Sequence, residues 1–315
     1  MKAMRYHSHG DSDVMVHEEV DRPVAGAGQV VVRVAGTAFN PVDVPIRAGV
    51  LREVFPVALP HIPNYDVAGV ITEIGRGVSG WSVGDAVVAF LPMTAPGAAA
   101  EYVAAPAEAL AAAPRTVDPA DAAALPSTGL TAWQSLFEHA GLKAGQSILI
   151  LGAGGAVGGY AVQLAARAGA TVTATASPRS LDRVRSYGAD RIVDYTAAPV
   201  PQALAGQRFD VVLNLVLDLA PTAGEETARL VDRLVADGGA FVSTTTPGPE
   251  DAGRGVRTVR VFARSDAARL AHLVTLVDAG ELRIEVAERR PMTDLPAVHD
   301  LCLAGRLAGK TVLIP

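Results

Sequence analysis

The sequence predicts an α/β protein built from a β-rich unit and a doubly wound parallel-sheet unit. Three observations carry this. Short β-branched runs separated by Gly/Pro turns fill the first third. Strand-like and helix-like runs alternate strictly from Ser147 onward. A glycine triplet, Gly152, Gly155 and Gly158, stands between the first of those strands and the first of those helices. A length of 315 residues favours two domains over one. Half the residues are apolar and only 5% aromatic, so Ala, Val and Leu must fill both cores.

In order, QVVVRVAGTAFN from Gln29, VAGVITEIG from Val67, DAVVAFLP from Asp85 and EYVAAP read as strands, with turn chemistry at Gly75-Arg76-Gly77 and Val83-Gly84-Asp85. DAAALPSTGLTAWQSLFEHAGL from Asp121 reads as helix, a Pro/Gly interruption, then helix. SILILG begins the alternation, followed by a helix to about Ala168, strand TVTATAS and the short helix SLDRVRSYG. Strands RIVDY and FDVVLNLV come next. A helix from about Thr222 to Ala236 then precedes Gly238-Gly239, strand AFVSTT and strand RTVRVFA. The tail is mixed: a helix over about Asp266 to Ala279, LRIEVAE, the helix LPAVHDLCLAG and a closing strand GKTVLIP.

Composition excludes several classes. A net charge of −6 without a Lys/Arg stripe argues against nucleic acid and anionic membrane as partners. The single cysteine, Cys302, rules out an internal disulfide and a multi-thiolate zinc site, and its apolar surroundings predict a buried small side chain. The N-terminal segment lacks the apolar core of a signal peptide, and no window approaches 18 uninterrupted apolar residues. A soluble cytoplasmic protein is expected.

The glycine triplet predicts a dinucleotide site. One position needs a backbone free of Cβ constraints, one lets a pyrophosphate approach the main chain, and one lets the helix pack on the sheet. The first-turn N–H groups of Ala156, Val157 and Gly158 then face the phosphates at the positive end of the helix dipole. Close helix–strand packing alone is the alternative reading. Cofactor choice follows from the end of the second strand. NAD sites carry an acid there, yet no Asp or Glu occurs from Gly152 to Leu181. Ser177 and Arg179 stand there instead, a hydroxyl and a guanidinium suited to a 2′-phosphate, so NADPH is expected over NADH. An exposed polar turn is the plainer alternative for the pair.

Other motifs carry less. GRLAGKT is one residue short of a P-loop and runs into a strand. Neither Gly-x-Ser-x-Gly nor HExxH occurs. His61 is a candidate proton donor or a satisfied loop histidine.

The segments FNPVDVPIRAG, LPHIPNYDVAGVITEIGRGVSGWSVGDAVV, AEYVAAP, LTAWQSLFEHAGLKAGQSILILGAGGAVGG and GKTVLIP resemble the zinc-independent, zeta-crystallin-like quinone oxidoreductases of the medium-chain dehydrogenase/reductase superfamily over nearly the whole chain. The resemblance implies a GroES-like β-rich catalytic domain from residues 1–122 and 266–315, enclosing a Rossmann domain over 123–265, with a cleft between them and a homodimer as the assembly. It implies Asn40 and Asp43 of NPVD and Thr131 of LTAW as catalytic-site residues. Alternatively, Asn40 caps its own loop before Pro41 and Asp43 bonds backbone N–H groups. Ser243, Thr244 and Thr245 are implied near the nicotinamide, and Ser177, Arg179 and Tyr195 around the adenosine phosphate. Phe262, Arg264 and Lys310 are implied close to the cofactor, Lys310 toward its phosphates.

The zinc branch of that superfamily has a ligand Cys where Asn40 stands, and a Gly-His-Glu triplet where Asn64, Tyr65 and Asp66 stand. No metal site is therefore expected. Many relatives carry a Tyr or Lys just after the NPVD acid; this chain has Val44-Pro45. DVVLNLVLD departs from the usual ending, with Asn214 where Asp is common. The reading is an NADPH-dependent reductase of quinones or α,β-unsaturated carbonyls that works by orientation, with water or a weak acid supplying the proton. An NADPH-binding redox sensor or structural protein with little turnover is the alternative from another class. An enoyl reductase of a specialised pathway is a third.

Overall fold

The β-branched runs of the first third do form strands, and two more precede them. The computed structural model describes residues 1–216, 220, 222–250 and 254–315. The end of the DVVLNLVLD segment, residues 217 and 218, lies outside the described residues.

Strands β1 (Lys2–Tyr6) and β2 (Met15–Glu19) pair antiparallel as a separate two-stranded sheet. Next come β3 (Gln29–Ala38), β4 (Asp66–Ile74), β5 (Ala86–Phe90), β6 (Tyr102–Pro106) and β7 (Leu110–Ala112). A five-residue helix, α1 (Asp43–Arg47), follows β3; it is too short to show a period in sequence. Helix α2 (Pro126–Trp133) runs into a π-helical turn, Gln134–His139. Pro126 opens α2 rather than interrupting it, because a first-turn residue needs no N–H. Gly129 lies inside α2, where a Cβ would come 3.0 Å from Leu125 Cδ1 and Leu273 Cδ1.

The alternating region holds β8 (Ser147–Leu151), α3 (Ala156–Arg167), β9 (Thr171–Ala176), α4 (Leu181–Ser186), β10 (Arg191–Asp194), α5 (Val200–Ala203), β11 (Phe209–Asn214), α6 (Ala223–Leu234), β12 (Val235–Ser243) and β13 (Arg257–Arg260). Strand β12 starts directly after α6, five residues earlier than its apolar run; its register against β11 shifts between Phe209 and Val211. The tail adds α7 (Ala267–Asp278), β14 (Glu288–Pro291), α8 (Leu295–Leu303) and β15 (Thr311–Ile314).

The chain divides into two units, Met1–Leu130 with Arg264–Pro315, and Thr131–Ala263. The boundary expected after residue 122 thus falls at Leu130. Ala122, Ala123 and Ala124 are fully buried, and Ser127 is bonded to Asp66 of β4, so this stretch belongs with the first sheet. That sheet has the order β14-β15-β3-β4-β5-β7, with β6 also on β3. The closing strand pairs antiparallel with β3, Val312 opposite Ala38, so both ends of the chain build this GroES-like unit. Its core includes Met4, Tyr6, Phe39, Val44, Leu295, Val298 and Leu313.

The second unit is a Rossmann sheet of six parallel strands in the order β10-β9-β8-β11-β12-β13. Leu149, Leu151, Phe209, Val212, Val231 and Phe241 fill a core on one face. Among the described residues, no helix is long and apolar enough to cross a membrane.

Candidate functional site

The second unit presents a cradle at the carboxyl ends of its strands. Strand β8 ends at Leu151, and Gly152 turns the chain with φ +82°, a conformation that favours glycine. Its N–H donates to Thr175 Oγ1 at 3.0 Å, which ties the turn to β9. Gly155 is the N-cap of α3 and has no side chain to satisfy the first turn. The N–H groups of Ala156, Val157 and Gly158 have no acceptor within the helix, so they are available to an anion. Gly158 allows the close approach of α3: a Cβ there would lie 2.4 Å from Gly152 O and 2.6 Å from Ala153 Cα. These features fit a pyrophosphate against bare main chain.

The end of β9 adds the polar turn. Ser177 is half-buried, Arg179 is exposed, and Ser180 N–H donates to Ser177 O at 2.9 Å. Sequence reasoning missed Arg183. Its Nη2 donates to Gly154 O at 2.7 Å, so a cation of α4 anchors the glycine turn. Nothing in a helical pattern identifies such a side chain before the turn is folded. Tyr195 follows β10 and is 51% exposed. Ser243 ends β12 and is fully buried; its Oγ accepts from Asn214 Nδ2 at 3.4 Å and from Thr245 N–H at 3.1 Å. Thr244 N–H donates to Asn214 O at 3.1 Å, so Asn214 at the end of β11 organises the Ser243–Thr245 turn. Phe262 is 55% exposed under the Arg260 guanidinium, 4.8 Å from its ring centre. Thr131 lies in α2, half-buried.

Arg264 and Lys310, implied near the cofactor by the resemblance, both lie in the first unit. Arg264 bonds Asp266 at 3.2 Å, next to α7. Lys310 is buried, and its Nζ donates to Asn40 Oδ1 at 2.7 Å, Phe39 O at 3.2 Å and Asp66 Oδ2 at 3.3 Å. A buried ammonium with three internal acceptors is not presented to a phosphate.

Lys310 is part of a network in the first unit that the sequence did not reveal. Asn40 Nδ2 donates to Asp66 Oδ2 at 2.8 Å, and Asn40 N–H donates to Asp43 Oδ2 at 2.8 Å. Ser127 donates twice to Asp66, from N–H to Oδ1 at 2.7 Å and from Oγ to Oδ2 at 2.6 Å. Asn40 and Asp43 are therefore brought together, but as members of an internal network. Asp43 is 1% exposed, and its Oδ1 has no hydrogen-bond partner among the described residues. Val44 is a core residue beside Tyr6 and Phe39. His61 is buried too, with a ring nitrogen 3.1 Å from Tyr65 OH.

Burial pushes the Asp43 carboxyl up to about 7, while the Asn40 N–H and the Lys310 charge pull it down and Asp66 pushes it further up. A folded value above the unfolded one means that the native state holds this proton more tightly. Its stabilising contribution is full below about pH 4 and is lost as pH rises through 7. His61 and His299 have the opposite sign: burial lowers them to about 4 and about 3, and stability is lost on acidification. Asp43→Asn removes only the first effect. The unfolding free energy of Asp43→Asn relative to wild type is expected to climb between pH 5 and 7, by up to about 1.4 kcal/mol per pH unit in urea titrations. A difference that stays flat across that range would show Asp43 to be an ordinary carboxylate.

A GroES-like unit joined to a Rossmann unit with this cradle defines the medium-chain dehydrogenase/reductase class. Residues 26–115 match the family described as alcohol dehydrogenase GroES-like domain, and residues 187–313 the family described as zinc-binding dehydrogenase. The chain is 32% identical over 337 residues to the chloroplast envelope quinone oxidoreductase homolog of Arabidopsis thaliana, covering 100% of this chain and 98% of that protein. It is 32% identical to the 2-methylene-furan-3-one reductase of Solanum lycopersicum, covering 100% and 79%. The structure of the quinone oxidoreductase from Coxiella burnetii superposes with a TM-score of 0.88 at 27% identity, covering 100% and 99%. The chain belongs to the quinone oxidoreductase group of the medium-chain dehydrogenase/reductase superfamily. It is an oxidoreductase acting on a small molecule, in a family that uses a nicotinamide cofactor.

Proposed function

We propose that this protein is an NADPH-dependent reductase of quinones or α,β-unsaturated carbonyls and that it works without zinc. The observation that carries the reading is the cradle at Gly152–Gly158 beside an acid-free β9 end, where Ser177 and Arg179 stand. The named activities of the Arabidopsis and Solanum relatives support the acceptor class.

The α3 first turn, Ala156 to Gly158, would hold the pyrophosphate by three main-chain N–H groups. Ser177 and Arg179 would hold the 2′-phosphate, with Tyr195 beside the adenosine. The Ser243–Thr245 turn, fixed by Asn214, would orient the nicotinamide end. When bound, the reduced cofactor supplies two electrons and one hydrogen to the acceptor. The protein's contribution is orientation, and conjugated acceptors need little else. Zinc independence is supported by donor chemistry. Asn40 replaces a thiolate of the zinc branch, Tyr65 replaces an imidazole, and the Asp66 carboxylate is taken up by Lys310, Asn40 and Ser127. A homodimer and a cytoplasmic location are part of the same proposal, the first checked by light scattering.

NADPH and NADH oxidation against quinones, enones and aldehydes tests the reading. NADPH consumption with quinones or enones, unchanged by a chelator, is expected. Tight NADPH binding with no turnover across the panel would favour the redox-sensor alternative. Ser177→Asp places a carboxylate where the 2′-phosphate would lie, and NADPH affinity is expected to fall by about a hundredfold with NADH binding retained. Equal losses for both cofactors would remove the 2′-phosphate from this turn.

A further inference from the structure

The first unit buries an ammonium and two carboxyls in one bonded cluster, at Lys310, Asp66 and Asp43. With both acids ionised the cluster carries one excess negative charge, and a low-dielectric interior penalises that excess. The two acids differ in what stabilises their ionised forms. Asp66 accepts four donors, Ser127 N–H, Ser127 Oγ, Asn40 Nδ2 and Lys310 Nζ. Among the described residues, Asp43 accepts the Asn40 N–H alone, and its other oxygen has no hydrogen-bond partner. Asp43 is therefore the acid whose ionised form the cluster stabilises less.

Lys310 reaches Asp43 through one residue. Its ammonium fixes Asn40 Oδ1, which sets the amide orientation and aims Asn40 Nδ2 at Asp66. The backbone of that same Asn40 donates to Asp43. The cluster thus joins the end of β3, the start of β4, the first turn of α2 and the residue before β15, positions 40, 66, 127 and 310. Four segments so distant in sequence are held by one cation and one carboxylate.

We propose that Lys310 is a positioning residue: paired with Asp66 and bonded to Asn40, it holds the Asn40–Asp43 turn and the start of α2 in one arrangement, with Asp43 as the proton-bearing acid. It serves turnover through that arrangement and takes no part in binding the cofactor phosphates. Other titratable groups share the surroundings of Asp43: Tyr6 of β1, Tyr65 before β4, and Cys302 of α8. All three are raised by burial first and by the Asp43 charge second. Burial lifts Asp43 to about 7 against the pull of Lys310, so loss of the ammonium raises it further.

The inference rests on the reductase reading, and the test separates the two. In the cofactor-free protein, the Asp43 carboxyl is followed by carbon-13 NMR against pH, in wild type and in Lys310→Met. The midpoint is expected to move up by about one pH unit in the variant. With NADPH and a quinone, Lys310→Met is expected to lose about a hundredfold in kcat, while NADPH affinity from fluorescence titration changes less than about threefold. The double variant Asp66→Asn/Lys310→Met removes both charges. It is expected to regain most of the thermal stability that the single variant loses, without regaining kcat. An unmoved Asp43 midpoint overturns the proposal whatever the kinetics. So does an NADPH affinity that falls in step with kcat, which would put Lys310 on the cofactor, or a double variant that recovers kcat along with stability. If wild type oxidises no NADPH with any acceptor, the reductase reading fails, and the Asp43 titration still decides whether Lys310 sets the state of this turn.

Discussion

Gly158→Val is expected to abolish NADPH binding and to destabilise the second unit. A Cβ at this position would meet Gly152 O at 2.4 Å, Ala153 Cα at 2.6 Å and Ala153 C at 2.8 Å. All three are main-chain atoms of the turn itself, so no side-chain rotation relieves the clash. Helix α3 must move off the end of β8, and its first-turn N–H groups move with it. The overpacking costs about 1–3 kcal/mol in unfolding free energy, and NADPH affinity falls by more than about a hundredfold. Gly155→Ala supplies the contrast. Its nearest neighbour would be Gly152 O at 3.4 Å, an ordinary contact, and its φ is −82°, open to any residue. That variant should unfold like wild type, and any loss of NADPH affinity in it reports a phosphate lying against the main chain. Calorimetric titration together with urea unfolding reads both quantities. Gly158→Val with wild-type NADPH affinity would remove the cradle from the cofactor site.

Asp66→Leu is expected to cost about 3–5 kcal/mol of folding free energy. Leucine keeps the branched four-atom outline of aspartate but is bulkier, so some overpacking adds to a loss that is chiefly electrostatic. Among the described residues it leaves the buried Lys310 ammonium with Phe39 O and Asn40 Oδ1, and it removes the Asp66 acceptor from Ser127 N–H, Ser127 Oγ and Asn40 Nδ2. A buried charge without its counter-charge is among the most expensive single defects in a fold, since the desolvation penalty stays while the compensation goes. Guanidinium unfolding at pH 7 measures the loss. A cost below about 1 kcal/mol would mean that Lys310 finds another partner or loses its proton.

The two units differ in how much of them could be read before folding. The Rossmann sheet was legible because each element speaks for itself. Strands of buried Val, Ile and Leu alternate with helices of 3.6 period, and the crossover rule allows few arrangements. The positions of residues 152–158 and 177–179, at the ends of β8 and β9, were legible for the same reason. The first unit hides more. Helix α1 has only five residues, fewer than two turns, and β1 and β2 lie in a histidine- and acid-rich segment without clean alternation. Asn40, Asp66, Ser127 and Lys310 are scattered over 271 positions, and no local pattern announces a bond between residues so far apart. Lys310 is the clearest case. The resemblance implied for it a place toward the cofactor phosphates, whereas the structure buries it among Phe39, Asn40 and Asp66 as an internal cation. Val44 was read as a missing proton donor; its place beside Tyr6 and Phe39 shows what apolar packing gained from that exchange.

The antiparallel pairing of β15 with β3 sets an order of events during synthesis. The six parallel strands are all translated before Thr311 leaves the ribosome, so that sheet can mature while the earlier one still waits for its last strand. Until then the growing polypeptide carries an open edge along Thr37 and Ala38 and a hydrophobic interior lacking Leu313. Nascent chains stalled before residue 311 should for that reason be the ones that chaperones hold longest.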